Sequence, residues 1–557
     1  MSGVTAADPP DEAAFAPGTR APQPRAKERW PGRQPFVWAP RARSVEVVLP
    51  RATGTPVRRT MRLVGAHEPG YWRADDRLPP GTDYAFSIDG GPPLPDPCST
   101  LLPHGIHGPS RVLDEDFTWH DSTWRGVDLT RGVLLHLDVT TATPDGTLDA
   151  AGRLLPAVAA LGVDGVELSP LSAFDPVAGP EAGVRLFAVH DRYGGPAALQ
   201  RFVDRAHQAG LAVVLDLPHR WAVADALGLH AFGPYASGSR IGPRSGTAQR
   251  RDSPRINLDG SGNRGARDFL VADARRWLED YHVDGLLLDV EVLVDRSGMP
   301  FLSELAEAVQ AVAAGTGRLR TLLMDGPGRS DRLTSVVGRI LTDDGPEPTH
   351  DLLEIADAAF PPGGVHARAP ATLRRAHRAA ARSAPVLVDD LTRLPAAAHA
   401  TPWSESARSG TAAPAPRTVV DARAALLAFA TLAGTPLVLD TEHVPVAMPD
   451  LASRRLVAWA RQLLTLRPSS LADLARRVES STGPGVLVLR RGDSALATVT
   501  QPHGVEIDLS EHLPAPVGSW RVAASWGQQA THLVAGRLRL PARAIVVLRR
   551  DVAAEQT

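Results

Sequence analysis

Carboxylates dominate the residues that could do chemistry. Asp289 closes the run Gly285-Leu286-Leu287-Leu288. An apolar run ending in an acid reads as a buried strand whose last side chain reaches the mouth of an α/β barrel. Val213-Val214-Leu215-Asp216, Leu322-Leu323-Met324-Asp325 and Val386-Leu387-Val388-Asp389-Asp390 repeat the pattern. Acids gathered at one sheet edge point to a polyhydroxy substrate or a metal ion. Capping of the helix after each strand is the competing explanation.

Other candidates are weaker. His190 and Asp191 precede Tyr193; substrate contact and a structural role at a barrel mouth are equal readings. His207, in Ala206-His207-Gln208-Ala209-Gly210, reads as a packing or capping residue on a helix. Glu291 could pair with Arg320 or enter the site. Ser169 and Ser172 have no neighbouring base in the sequence, so serine hydrolysis draws little support from it. No spacing demands a divalent ion, and no Gly-rich dinucleotide fingerprint or P-loop occurs. No cofactor and no metal are expected.

These acids need a frame. From about 128 to 465 strand and helix patterns alternate. The strand candidates are Val133 to Leu137, Val163 to Leu168, Leu211 to Asp216, Gly285 to Asp289, Thr321 to Met324, Arg339 to Thr342, Val386 to Asp390 and Pro436 to Leu439. Helical stretches run over Ala150 to Leu161, Ala197 to Ala209, Ala266 to Asp280, Phe301 to Ala314, Pro370 to Ala381 and Val420 to Leu432. Such alternation predicts a (β/α)8 TIM barrel, with the weakest signal at the sixth strand. The Gly-, Ser- and Pro-rich segment 218–263 reads as a long loop over the active-site face. Before the barrel, 31–120 holds short β-like runs broken by Gly-Pro turns, the pattern of an N-terminal β-sandwich in which Trp72 is core. After it, 484–551 reads as a C-terminal antiparallel β domain, a second sandwich. Residues 1–30, rich in Pro, Ala and charge, read as disordered. The fold class is thus multidomain.

Composition bounds the partners. The chain has 557 residues, 60 Lys+Arg against 62 Asp+Glu, and a formal charge of -2. That balance supports neither a nucleic-acid nor an anionic-membrane surface. The single cysteine, Cys98, excludes an internal disulfide and a cysteine zinc cluster. No His-Glu-x-x-His occurs, the N-terminus lacks a signal-peptide pattern, and no apolar run is long enough to span a bilayer. A cytoplasmic location is expected.

Across most of its length the sequence resembles the α-amylase superfamily of glycoside hydrolases, above all its malto-oligosyltrehalose trehalohydrolase branch, with branching enzymes second. The resemblance rests on Phe36-Val37-Trp38-Ala39-Pro40 with Pro95-Asp96-Pro97, which is similar to the branch's carbohydrate-binding-like N-terminal domain. It rests also on Thr143-Pro144-Asp145-Gly146-Thr147-Leu148-Asp149 and Gly162-Val163-Asp164-Gly165-Val166-Glu167-Leu168-Ser169-Pro170. Tyr193-Gly194-Gly195-Pro196, Phe232-Gly233-Pro234-Tyr235, Ile256-Asn257-Leu258-Asp259-Gly260, Tyr281-His282-Val283-Asp284-Gly285 and Gly434-Thr435-Pro436 fit as well.

The resemblance implies retaining cleavage of an α-glucosidic bond by an Asp nucleophile and a Glu acid/base. A further Asp holds sugar hydroxyls, an Arg two residues before the nucleophile positions it, and two His contact the sugar. Carried over, the nucleophile position is Asp289, but the Arg position is Leu287, which removes a fixed cationic donor. The acid/base position falls on Asp325, one methylene shorter than Glu; a misplacement of about 1 Å can cost on the order of 100-fold. The Asn-His after the third strand is Arg220-Trp221, although Asp216 before it is kept. The hydroxyl-clamping Asp has its nearest match in Asp390, the aromatic-Asp pair before Gly183-Val184 is Glu181-Ala182, and the Gly-Glu-Glu near strand eight is Asp440-Thr441-Glu442. Substrate contacts would fall to Asp216, His190, Trp221 and Glu442.

Three readings follow. In the first, the chain is a trehalohydrolase-like protein of α-glucan and trehalose metabolism that has lost the ancestral hydrolysis and acts by binding a glucan, a trehalose-containing oligosaccharide or a protein partner. In the second it is an active retaining hydrolase releasing trehalose from maltooligosyl trehalose, with Asp289 as nucleophile, Asp325 as acid/base and Asp390 or Glu442 in support. In the third the pocket is closed and its carboxylates pair with Arg185, Arg192 or Arg220.

Overall fold

The Leu-rich runs do form the strands their composition predicts. In the computed structural model, seven strands make one parallel sheet in the order Thr321–Asp325, Gly285–Asp289, Ala212–Leu217, Gly165–Leu168, Val133–Leu137, Leu437–Asp440 and Val386–Leu387. The structure describes residues 33–64, 70–114, 116–129, 132–219, 227–237, 255–289, 292–296, 301–325, 386–387, 424, 427–428, 437–440, 451–467, 479–483, 486–499, 503–514, 517–527, 529–542 and 544–551. The sixth strand candidate, Arg339 to Thr342, the helix candidate Pro370 to Ala381 and the segment 1–30 lie outside the described residues.

The strands at 133–137, 212–217, 285–289 and 321–325 carry apolar residues on both faces, as a parallel sheet with helices on its outside requires. Leu135, Leu137, Val166, Leu168, Val213, Leu215, Leu286 and Leu288 join the main core. The alternate residues Leu134, Ala212, Val214, Leu287 and Leu323 gather with Leu129 into a separate inner cluster. This period of two fixes which side chains look inward.

Helices Gly195–Gln208, Arg264–Glu279 and Phe301–Thr316 follow the hairpin arm and the strands. In the first, Ala198, Leu199, Phe202, Val203 and Ala206 form the buried face, the spacing of an amphipathic helix. Pro196 sits in its first turn, where no amide proton is needed, and Gly210 at φ 78° ends it. The continuous helix expected over Ala150 to Leu161 is instead two short ones, Leu148–Gly152 and Leu155–Ala159. Pro156 can donate no bond back to the carbonyl of Gly152, so the helix restarts. An antiparallel hairpin of Ser172–Phe174 and Val184–Val189, which the sequence reading did not foresee, projects after the second strand.

The flanking segments are antiparallel β structure. Residues 36–111 hold a four-stranded and a three-stranded sheet, and residues 479–550 a five-stranded and a three-stranded one. Trp72 is buried, as a core residue should be. The N-terminal sheets pack directly on the barrel helices: Trp38 lies against Gly265, where an added Cβ would meet its ring at 2.0 Å, and Tyr71 Oη donates to Asp268 at 3.0 Å.

Candidate active site

Parallel strands deliver their C-terminal residues to one edge. There Asp289 ends the Gly285–Asp289 strand half-buried, and Asp216 stands half-buried on the neighbouring Ala212–Leu217 strand. Register pairs Asp216 with Leu287, and Asp289 with Asp325 of the next strand. Adjacent strands run about 5 Å apart, so Asp325 occupies the position beside Asp289. Two residues before Asp289, Leu287 is 6% exposed and packs in the inner apolar cluster.

His190 is not on the barrel strands. It follows the projecting hairpin, where its Nδ1 accepts the Arg192 amide at 3.1 Å. Its ring meets Phe174 at 4.6 Å and Tyr193 at 5.6 Å. Burial holds it below the usual histidine range, against the pull of Asp191. Trp221, Asp390, Glu442 and Glu291 lie outside the described residues.

Two arginines considered as carboxylate partners have other acceptors. Arg185 does not serve a mouth carboxylate: it is buried and donates to the carbonyls of Ile106 and Leu227, each at 3.0 Å. Burial pushes its pKa down to about 10. It pins loops, because a buried guanidinium needs acceptors and the nearest ones are backbone. Arg320 donates to Asp284 at 3.0 Å. His207 does sit on a helix but is more than packing: Asp121 and Asp284 hold its two nitrogens at 2.8 and 2.9 Å.

The sequence reading missed one constellation. His136 Nδ1 lies 3.1 Å from Glu167 Oε1, and Ser169 Oγ lies 3.2 Å from His136 Nε2. His136 and Glu167 are register partners on adjacent strands. The available signal was Glu167 and Ser169 two residues apart, on one face of a strand next to a strand carrying His136. Among the described residues no group of three or more His, Cys, Asp or Glu could hold a metal ion. No described helix is long and apolar enough to cross a membrane.

Known proteins resemble the chain as a whole. No family model matches the chain. A malto-oligosyltrehalose trehalohydrolase of Arthrobacter ramosus is 40% identical over 295 residues, covering 52% of this chain and 49% of that protein. One of Brevibacterium helvolum is 38% identical over 304 residues, covering 53% and 49%. The chain thus spans about half the length of the curated relatives it matches. A pullulanase from Anoxybacillus sp., solved with maltotetraose, superposes with a TM-score of 0.65 at 15% identity, covering 94% of this chain and 87% of that one. The chain is thus similar to malto-oligosyltrehalose trehalohydrolases in sequence over about half its length, and shares the fold of a pullulanase over nearly all of it.

Proposed function

We propose that this chain is a trehalohydrolase-like protein that binds α-glucan or trehalose-ended oligosaccharide at the barrel mouth and has lost the ancestral hydrolysis. The observation that carries this reading is Leu287. It stands two residues before the nucleophile position Asp289 and is committed to an apolar cluster with Leu134, Val214 and Leu323. A leucine there offers no hydrogen-bond donor to orient the carboxylate or to stabilise charge as it develops. Binding by half-buried acids such as Asp216 and Asp289 survives that loss, because hydroxyl recognition needs acceptors and not a nucleophile.

A second reading keeps hydrolysis, with Asp289 attacking and Asp325 as acid/base. The register of Asp289 opposite Asp325 favours it, since it puts the two acid positions level with each other on adjacent strands.

The test combines calorimetric titration with product analysis. The full chain and its Asp289→Asn variant are titrated with maltotetraose and incubated with maltooligosyl trehalose. Binding without release of trehalose supports the proposal. Trehalose released by the parent and not by the variant overturns it in favour of the second reading, and absence of binding overturns both.

A further inference from the structure

The geometry points to a second reactive centre, Ser169–His136–Glu167, in which Ser169 is a nucleophile for neutral, short-chain carboxylic esters. This goes beyond the glucan reading and does not depend on it. The sheet builds the centre: Glu167 and Ser169 share the inward face, alternating with Val166 and Leu168, which are fully buried on the other. His136 faces Glu167 across the strand pair.

The order of the hydrogen bonds is that of an activated serine. A carboxylate only accepts, so His136 Nδ1–H donates to Glu167 Oε1 at 3.1 Å. With Nδ1 so engaged, Nε2 faces the Ser169 hydroxyl at 3.2 Å, in position to accept from it. Glu167 Oε2 is buried and makes no hydrogen bond, so His136 is the partner that occupies this carboxylate. Side-chain exposure rises along the relay, from 3% at Glu167 to 22% at His136, and Ser169 is half-buried. The orienting acid is thus inside and the nucleophile at the mouth, the arrangement of roles by which such a centre is recognised on unrelated folds. Asp216 and Asp289 at the same edge disfavour anionic substrates, which is why the ester is neutral.

In the reaction Ser169 Oγ forms a bond to the ester carbonyl carbon while its proton passes to His136 Nε2 and the π pair moves to oxygen. On collapse that pair returns and the carbon–alkoxide bond breaks. The alkoxide takes the proton from Nε2 and leaves as an alcohol, with Ser169 acylated. Water repeats the sequence: it gives its proton to His136, adds to the acyl carbon, and expels Ser169 Oγ, which recovers the proton as the acid departs. Glu167 is a positioning residue. Pro170 follows the serine and has no amide proton to give an oxyanion, and one such donor is worth on the order of 100- to 1000-fold. Both half-reactions are therefore slow; with an activated leaving group such as p-nitrophenolate acylation outruns deacylation, and the covalent serine adduct accumulates.

The experiment exposes the full chain to a fluorophosphonate probe, maps the adduct by peptide mass, and follows the first turnover of p-nitrophenyl acetate. The expected result is one adduct on Ser169 and a stoichiometric burst, both absent in Ser169→Ala. His136→Gln slows labelling on the order of 100-fold or more. Glu167→Gln shifts the pH midpoint of labelling, and Glu167→Asp, which keeps the carboxylate, restores it in part. The adduct's position in the parent chain decides the matter even if a variant misfolds. An unlabelled parent, a label on another residue, or a folded His136→Gln labelled as fast as the parent overturns the proposal. None of these outcomes bears on glucan binding.

Discussion

His207 Nε2 lies 2.9 Å from Asp284 Oδ2 at the N-terminal edge of the sheet, with both side chains removed from solvent. The same imidazole reaches Asp121 on its other nitrogen at 2.8 Å, and Asp121 is further held by Arg318 and His282. Trp124 and Arg320 complete the shell of Asp284, at 2.8 and 3.0 Å. The network ties the segment leading into the barrel to its helix and to two strand entries. Burial pushes the Asp121 carboxyl up, but hydrogen bonds from His207, Arg318 and His282 outweigh it and hold it far below the usual carboxylate range.

The first prediction follows from the histidine. Burial pulls the His207 pKa down, but the bonds to Asp121 and Asp284 leave it raised. A raised histidine contributes stability that is full below about pH 6.5 and lost as pH climbs through the folded value. His282, lowered chiefly by burial, acts oppositely as pH falls below about 6.5. The difference in urea midpoint between parent and His207→Leu is therefore expected to shrink from pH 6 to pH 9. At pH 6 the variant loses about 3 kcal/mol, the low end for a broken buried pair because Arg318 and Arg320 remain.

Asp96 gives the opposite kind of dependence for an acid. Burial raises its pKa to about 6, against bonds from Tyr84 and the Cys98 amide. The folded state then binds a proton more readily than the unfolded one, so stability falls as pH rises from about 4 to 6. By neutral pH the charged form costs about 3 kcal/mol. The difference in melting temperature between Asp96→Asn, which keeps an acceptor, and the parent should move in the variant's favour as pH rises across that window.

At Leu287 the expected loss is one of packing. Leu287→Ala removes buried methyls from a cluster that the barrel strands cannot collapse, and costs about 2 to 5 kcal/mol. Denaturant unfolding measures it. An unchanged midpoint would mean that the inner cluster is not as closely packed as its burial implies.

Gly265 tests the docking of the N-terminal sheets. A Cβ there would stand 2.0 Å from Trp38 Cε2 and 2.1 Å from Cδ2, so the ring must move. Gly265→Ala is expected to destabilise by at least about 1 to 3 kcal/mol and to shift tryptophan emission to the red. A blue shift or no change would show that the ring has another place to go.

The sequence by itself determined the strands and the helices after them, since runs such as Gly285–Asp289 carry their own periodicity and the helices their own apolar stripe. It also determined that acids would come near the C-terminal edge, because Asp289 and Asp325 close their strands and Asp216 stands one residue before the end of its own. Local pattern failed at Leu148–Ala159, where one proline outweighed a helical stretch. Tertiary structure alone decided what each polar group faces. His207 and Asp284 are 77 residues apart, and His136 and Ser169 are 33 apart. The register of parallel strands, set by burial of both faces, brings them together. A serine without a base in its own neighbourhood gains one from the next strand, and an arginine expected at a carboxylate is taken by backbone carbonyls. Periodicity is a property of a single segment; hydrogen-bond pairing between segments is fixed only when the sheet closes its register.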